Sequence, residues 1–356
     1  MKALIAMSGG VDSSVAALLT IEKGIECTGC TMKLFEAGDT DLSPEKSKTC
    51  CSLDDTEDAR SVARRLGMDF YVFNYKDEFR RMVMDKFAAA YEKGETPNPC
   101  IDCNNHLKFG KLHERAQVLG MDYVVTGHYA RIEQGTDGKY VLKKALDESK
   151  DQSYVLYGLT QEKLQHTMFP LGELTKVEAR AIAEEHGFVN AHKPDSQDIC
   201  FVPDGDYATV VEKLTGHKPE PGDFVDKDGK VLGQHKGIIN YTIGQRKGLG
   251  IAMGHPIFVC EICPEKNCVV LGENEDLMKR EVLVKDFNWI SGEVPEGPVR
   301  CLAKTRYRMK EQPAMAYALP DGGARIIFDE PQRAITRGQS AVCYDGDVVL
   351  GGGEII

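Results

Sequence analysis

Ala3-Leu4-Ile5-Ala6-Met7-Ser8-Gly9-Gly10-Val11-Asp12-Ser13-Ser14 opens the chain with an uncharged apolar run that stops at two glycines. A run of that kind reads as a fully buried strand, because parallel strands covered on both faces lose the apolar–polar alternation of half-exposed ones. The glycines permit a tight turn, and Val15, Leu18 and Leu19 beyond them carry helical spacing. Strand, glycine turn and helix in that order aim successive backbone N–H groups and the helix N-terminus at one point. Such a point suits a phosphate. Ser13 and Ser14 add hydroxyl donors, and Asp12 offers a carboxylate for Mg2+ on the phosphate oxygens. The Gly-Lys-Ser/Thr ending of a Walker A loop is missing, so the loop is of another kind.

Outward from this loop the first half alternates strand and helix patterns. Asp54 and Asp55 cap a helix with an apolar face of Ala59, Val62, Ala63 and Leu66 and a stop at Gly67. Phe70–Phe73 reads as a strand and Phe79–Tyr91 as a helix. A further helix runs from about Phe109 to Leu119, ends at Gly120 and precedes a buried strand at Tyr123–Thr126. Strands separated by helices imply a parallel α/β sheet with ligands at the carboxyl ends of its strands. Thr175-Lys176-Val177-Glu178 fits a capping box for a helix that stops near Gly187. Past about residue 205 short β-rich runs are broken by Asp228-Gly229, Asp321-Gly322-Gly323 and Asp345-Gly346, each a hairpin turn. The expected architecture is therefore a parallel-sheet nucleotide-binding domain over 1–205, a small mainly β central domain over 206–278, and a C-terminal β-barrel over 279–356.

Composition narrows the function classes. Hydrophobic residues make up 42% and charged residues 28%, a globular balance without a disorder signature. No apolar run approaches the roughly 20 residues that cross a bilayer, and the opening run is too short and lacks the cleavage site of a signal peptide. A cytoplasmic protein is expected. Its net charge of -11 weighs against nucleic acid as a partner, yet a local basic track can bind RNA on an acidic protein. Twelve cysteines in a reducing compartment argue for metal or redox chemistry over a disulfide framework.

Two cysteine stretches are informative. Thr96-Pro97-Asn98-Pro99-Cys100-Ile101-Asp102-Cys103-Asn104 carries two prolines and reads as a stiff loop. It presents Cys100 and Cys103 just before a helix, whose N-terminal dipole lowers a thiol pKa. Asp195-Ser196-Gln197-Asp198-Ile199-Cys200-Phe201 supplies a third thiol. Cys27 and Cys30 lie on the second strand. Cys50-Cys51, and Cys260 with Cys263 and Cys268, read as structural.

Ser8–Ser14 resembles the pyrophosphatase loop of enzymes that cleave ATP to AMP and pyrophosphate while activating an oxygen. With the cysteine stretches it resembles the bacterial tRNA-specific 2-thiouridylases. That likeness also rests on Gly127-His128-Tyr129, Lys150-Asp151-Gln152-Ser153-Tyr154, Gly244–Gly250, Lys304-Thr305-Arg306-Tyr307-Arg308 and Gly338-Gln339-Ser340-Ala341-Val342. The resemblance implies a cytosolic, monomeric, ATP- and Mg2+-dependent sulfurtransferase that adenylates the C2 oxygen of a wobble uridine in lysine, glutamate and glutamine tRNAs. It implies ATP contacts at Ala6, Met7, Ser8, Gly9, Gly10, Val11, Asp12, Ser13, Met32 and Gly127. Cys200 would carry a persulfide and Cys103 would release the sulfur by thiol–disulfide exchange. A sulfur relay protein or a cysteine desulfurase would supply the sulfur. Cys100 stands where many relatives have an aspartate, which puts the role of that carboxylate in doubt. It also creates a second possibility, a [4Fe–4S] cluster on Cys100, Cys103 and Cys200 that delivers a hydrosulfide.

On the RNA side, Lys304, Arg306, Arg308 and Lys310 share one face if their segment is a strand. The resemblance adds Arg306, Tyr307 and Gln339 as tRNA contacts, with His128, Lys150, Asp151 and Gln152 from the first half. Asn98, Pro99 and Cys100 would read the flipped base. The rival readings are an ATP-dependent amide or C–N ligase on the same fold and a non-catalytic tRNA-binding protein.

Overall fold

The computed structural model describes residues 1–35, 53–194, 199–202 and 205–356. Cys50, Cys51 and the Asp195–Asp198 part of the third cysteine stretch lie outside them. The opening run forms β1 (Lys2–Ala6), the middle strand of a parallel sheet ordered β3-β2-β1-β4-β7. Its partners are β2 (Glu26–Lys33), β3 (Asp69–Asn74), β4 (Tyr123–Thr126) and β7 (Thr167–Met168). Ala3, Leu4 and Ile5 are fully buried. Leu4 joins a cluster with Met32, Phe79, Phe87 and Leu107, while Ala3, Ile5 and Met7 join Val15, Ala59 and Val62 on the other face. Alternate side chains on one strand thus feed two cores, which is why the run needs no polar residue.

Helices α1 (Val11–Glu22) and α2 (Leu53–Arg65) cover the second face. The first face carries two helices with π-type turns, over 76–92 and 99–118. Gly67 and Gly120 adopt the left-handed conformation expected of helix stops. The stiff loop expected over 96–104 holds through Asn98, and from Pro99 onward the segment is helix instead. Pro99 sits at the first helical position, where a missing N–H costs nothing, and the Asn98 side chain accepts from the Cys100 N–H at 3.2 Å. The helix therefore starts ten residues before the expected Phe109.

The hairpin of β5 (Ala130–Gln134) and β6 (Tyr140–Lys144) leaves the parallel sheet and pairs with the far end of the chain. A small antiparallel and parallel sheet ordered β10-β11-β8-β9 follows, from β8 (Gly222–Val225), β9 (Val231–His235), β10 (Phe258–Cys263) and β11 (Cys268–Gly272). The last six strands are β12 (Met278–Trp289), β13 (Val299–Lys304), β14 (Gln312–Ala318), β15 (Ala324–Arg333), β16 (Ser340–Asp345) and β17 (Val348–Ile355). Each pairs antiparallel with the next around the ring, and β12 pairs with both β15 and β17, so the barrel closes. Alanines at 303, 314, 316, 324 and 341 are fully buried and keep the interior narrow. All three Asp-Gly signals are turns: Gly229, Gly322 and Gly346 have φ of 82°, 83° and 57°. No helix among the described residues is long and apolar enough to cross a membrane.

Candidate active site

The strand order reverses direction at β1, with β2 on one side and β4 on the other, and the glycine loop follows β1 at that point. Gly9 has φ of 75°, and a Cβ on it would lie 2.2 Å from the Asp55 carbonyl oxygen. Only glycine fits this conformation so close to α2. Ser13 Oγ donates to the Gly10 carbonyl at 3.0 Å and accepts from the Ser8 N–H at 3.2 Å. Ser14 Oγ donates to the same carbonyl at 3.1 Å. The two hydroxyls fold the loop onto the first turn of α1, and Ser8 stays exposed. Gly127, at the end of β4, lets that strand approach the loop. A Cβ there would sit 2.7 Å from both Asp12 C and Ser13 N. Met32, next to last in β2, is 9% exposed.

Three residues from the 175–193 segment secure this loop. Lys176 Nζ donates to both Asp12 oxygens at 2.7 and 2.8 Å, and Tyr129 OH donates to Oδ1 at 2.8 Å. Asn190 Nδ2 reaches the Gly9 carbonyl and Ser14 Oγ, each at 2.9 Å. Lys193 pairs with Asp55 and Asp58 and approaches the Gly9 carbonyl at 3.5 Å. Asp12 is therefore already balanced by an ammonium group, and a divalent cation would have to share its carboxylate. These residues fit a phosphate cradle better than a Mg2+ cage.

The 99–118 helix presents Cys100, exposed, in its first turn and Cys103, half-buried, just after it. Asp102 between them points inward to Lys86 at 2.7 Å, with His106 at 3.9 Å. Burial raises the Asp102 carboxyl above its ordinary range, although Lys86 pulls against the shift. Cys200 precedes Phe201, whose ring packs edge-on against Phe79 and Phe87 at 5.8 and 5.1 Å. Cys103 and Cys200 border the same apolar cluster, which contains Met32 and is also bordered by Ala6. Among the described residues no three His, Cys, Asp or Glu side chains come together as a metal site. Cys100, Cys103 and Cys200 as placed do not fit a three-thiolate cluster ligand.

On the barrel side the strand reading of 304–310 fails. β13 ends at Lys304 and the chain turns, so the even-numbered cations do not share a face. Lys304 is 6% exposed over the rings of Tyr154 and Tyr344 and near Glu311. Burial lowers its pKa. Arg306 donates to the carbonyls of Ile243 and Ala334 at 3.2 and 2.8 Å and to Thr336 Oγ1 at 2.6 Å. It ties the Gly244–Gly250 segment to the barrel. Arg308 and Lys310 remain exposed. Tyr307 OH donates to the Asp151 carbonyl at 3.1 Å, and its ring is 38% exposed. Burial, and then Asp151, raise the pKa of its hydroxyl.

The other candidate contacts are scattered over this seam between the domains. Gln339 Nε2 donates to the Thr96 carbonyl at 2.6 Å, and the Thr96 N–H donates to the Arg337 carbonyl at 2.9 Å. The barrel thereby braces the segment that leads to Asn98 and Pro99. Gln152 exchanges hydrogen bonds with the Tyr129 backbone, and Asp151 accepts from Ala145 and Ser153. Lys150 is half-buried. His128 is 7% exposed between Phe109 and Phe169, with Thr126 Oγ1 at 2.7 Å and Lys108 Nζ at 3.4 Å. Burial and Lys108 push its pKa well below the ordinary histidine value. A cleft of about 410 Å3 opens along the seam, lined among others by Lys86, Asn98, Asp102, His106 and Glu354.

Comparison with known proteins decides the family. A tRNA-specific 2-thiouridylase of Clostridioides difficile is 52% identical over 99% of this chain and 98% of its own length. The chain belongs to the tRNA-specific 2-thiouridylase family. Relatives of the same name from Acetivibrio thermocellus and Clostridium perfringens are 50% and 49% identical over 99% of this chain and 99% and 98% of theirs. Three family models match in sequence: a tRNA methyl transferase HUP domain over 1–204, a PRC-barrel domain of the same title over 209–273, and an aminomethyltransferase β-barrel domain over 279–355. Their titles speak of methyl transfer, whereas the full-length relatives are named for thiolation. Tyr129, Lys176, Asn190 and Lys193 contact the glycine loop, and sequence reasoning missed them. Lys176 had a local signal only as a member of the capping box, which the structure contains. Its reach of 164 positions to Asp12 has no local signature.

Proposed function

We propose that this chain is a cytoplasmic tRNA-uridine 2-sulfurtransferase acting on the wobble uridine of lysine, glutamate and glutamine tRNAs. The observation that carries the reading is that Cys103 and Cys200 border one apolar cluster with Met32 and Ala6 beside the glycine loop. Ala6, Met7, Ser8, Gly9, Gly10, Val11, Asp12, Ser13, Met32 and Gly127 surround ATP. The C2 oxygen of the base attacks the α-phosphate, the bond to pyrophosphate breaks, and the loop N–H groups and hydroxyls take up the charge of the leaving group.

Cys200 carries a persulfide received from a sulfur relay protein or cysteine desulfurase. Its terminal sulfur attacks C2, and AMP departs with the former C2 oxygen. Cys103 then attacks Cys200 Sγ, which releases the thiolated base and leaves a Cys103–Cys200 disulfide for an external dithiol to reduce. The alternative of hydrosulfide on an iron–sulfur cluster has less support, because the three thiols do not form a ligand set. Asn98, Pro99 and Cys100 face the target base, and Tyr307 with the exposed Arg308 and Lys310 line the approach of the tRNA. His128, Gln152, Asp151, Lys150, Arg306 and Gln339 shape that approach, mostly by holding backbone.

Iron-free protein incubated with unmodified tRNA, ATP and a persulfide donor tests the reading. It predicts 2-thiouridine in the anticodon fragment by mass spectrometry and pyrophosphate release that needs the tRNA. Cys103→Ala and Cys200→Ala should each abolish thiolation. Full thiolation by either variant, or pyrophosphate release indifferent to tRNA, would overturn it.

A further inference from the structure

Cys263 and Cys268 are the last register pair of the β10–β11 hairpin, on either side of the turn at Pro264–Lys266 and Asn267. Residues directly opposed on antiparallel strands point to the same face with Cβ atoms about 4.5–5.5 Å apart. A disulfide needs about 3.5–4.5 Å. As that register pair the two side chains lie on one face of the hairpin, so that a small adjustment of the strand ends brings the sulfurs together. The turn holds that register. Asn267 adopts φ of 45°, its N–H donates to the Pro264 carbonyl, and its side chain donates to the carbonyls of Glu220 and Pro221. Both cysteines are half-buried and within reach of a small oxidant.

Other thiols near or like them are placed differently. Cys260 turns to the carbonyls of Phe258 and Glu273. Cys301 turns to the Ala314 carbonyl, and it and Cys343 are 5% and 0% exposed inside the barrel. The hairpin also bears on the catalytic domain. A Cβ on Gly94 would lie 2.7 Å from Ile262 and 3.4 Å from Pro264, and Gly94 is four residues before Asn98. None of this is used by thiolation as proposed above.

We propose that Cys263 and Cys268 form a redox-sensitive modification site, a dithiol that closes reversibly to an intramolecular disulfide. Two S–H bonds are lost and one S–S bond forms. The two electrons and two protons pass to a disulfide or azo oxidant, which becomes two thiols or a hydrazine. One thiolate of the pair attacks the oxidant, and the other then displaces it to close the S–S bond.

The test uses the full chain, treated with diamide under native conditions, quenched with N-ethylmaleimide and digested with trypsin. Cleavage after Lys266 separates the two thiols, so the disulfide joins peptide 248–266 to peptide 267–279. The expected product is that linked pair, lighter by two hydrogens than its parts and dispersed by dithiothreitol. It should form at least about tenfold faster than any Cys301–Cys343 link, since thiol oxidation follows exposure. Cys268→Ser should abolish it and Cys260→Ser should leave it. Full alkylation of Cys263 and Cys268 under conditions that oxidise added glutathione would overturn the proposal, as would a link from Cys268 to Cys260.

Discussion

The glycine loop and the 304–310 segment carry equally conspicuous sequence patterns and end up in opposite circumstances. At the loop the pattern is local. Strand, two glycines and a helix start determine the backbone by themselves, and Ser13 and Ser14 bond carbonyls only three and four residues away. At 304–310 the pattern is four cations, and their fate is set by distant partners: Tyr154, Tyr344 and Glu311 for Lys304, and Ile243, Ala334 and Thr336 for Arg306. Charge alone does not say whether a cation faces solvent or closes a domain seam. Backbone geometry encoded by glycine does not have that ambiguity.

The largest effect should come from crowding the loop. Gly127→Ala places a methyl group 2.7 Å from two backbone atoms of α1. It should lower the ATP-dependent step at least about a hundredfold, the size expected when a phosphate site shifts by an ångström. Pyrophosphate release and a thermal melt of the same sample check it; wild-type turnover would break the claim that β4 touches the loop. Arg306→Met should come next, with a loss of about 2–4 kcal/mol in stability from three acceptors left buried by a charged donor. Urea unfolding measures it. Arg308→Ala, the neighbouring exposed cation, should leave stability within about 0.5 kcal/mol and weaken tRNA binding with a shallower salt dependence. If the two arginines behave alike, the contrast between the regions fails.

Lys176→Met sharpens the loop side of the contrast. It leaves the Asp12 carboxylate with Tyr129 alone. We expect the KM for ATP to rise about tenfold, with tRNA affinity unchanged. The smallest effect concerns His128. Its folded pKa is depressed, so the ring stays neutral in the folded chain while the unfolded ring protonates. That difference favours unfolding as pH falls through the ordinary histidine value of about 6.5. His128→Asn should flatten the fall in stability between about pH 7 and pH 5; an unchanged slope would mean other groups cause it.

Fold class was legible because it rests on local signals: the buried opening run, helix stops at Gly67 and Gly120, the capping box at Thr175 and three Asp-Gly turns. The 99–118 helix was misread for a physical reason. Proline forbids helix interiors but favours the first helical position, and only the cap bond from Asn98 tells the two apart. The glycine loop itself was visible, but its supports at Lys176, Asn190 and Lys193 are not, since they arrive through the tertiary packing of a helix known only by its cap. The docking of the β5–β6 hairpin onto β17 is likewise a long-range pairing without a sequence period.

In the proposed reaction the base itself is adenylated, and sulfur then attacks the carbon that bore the oxygen. Oxygen-18 placed on C2 of the target uridine follows that atom directly. After a single turnover with ATP and a persulfide donor, the label should appear in the phosphate of AMP. Label found in water or retained in the tRNA, with AMP unlabelled, would contradict it.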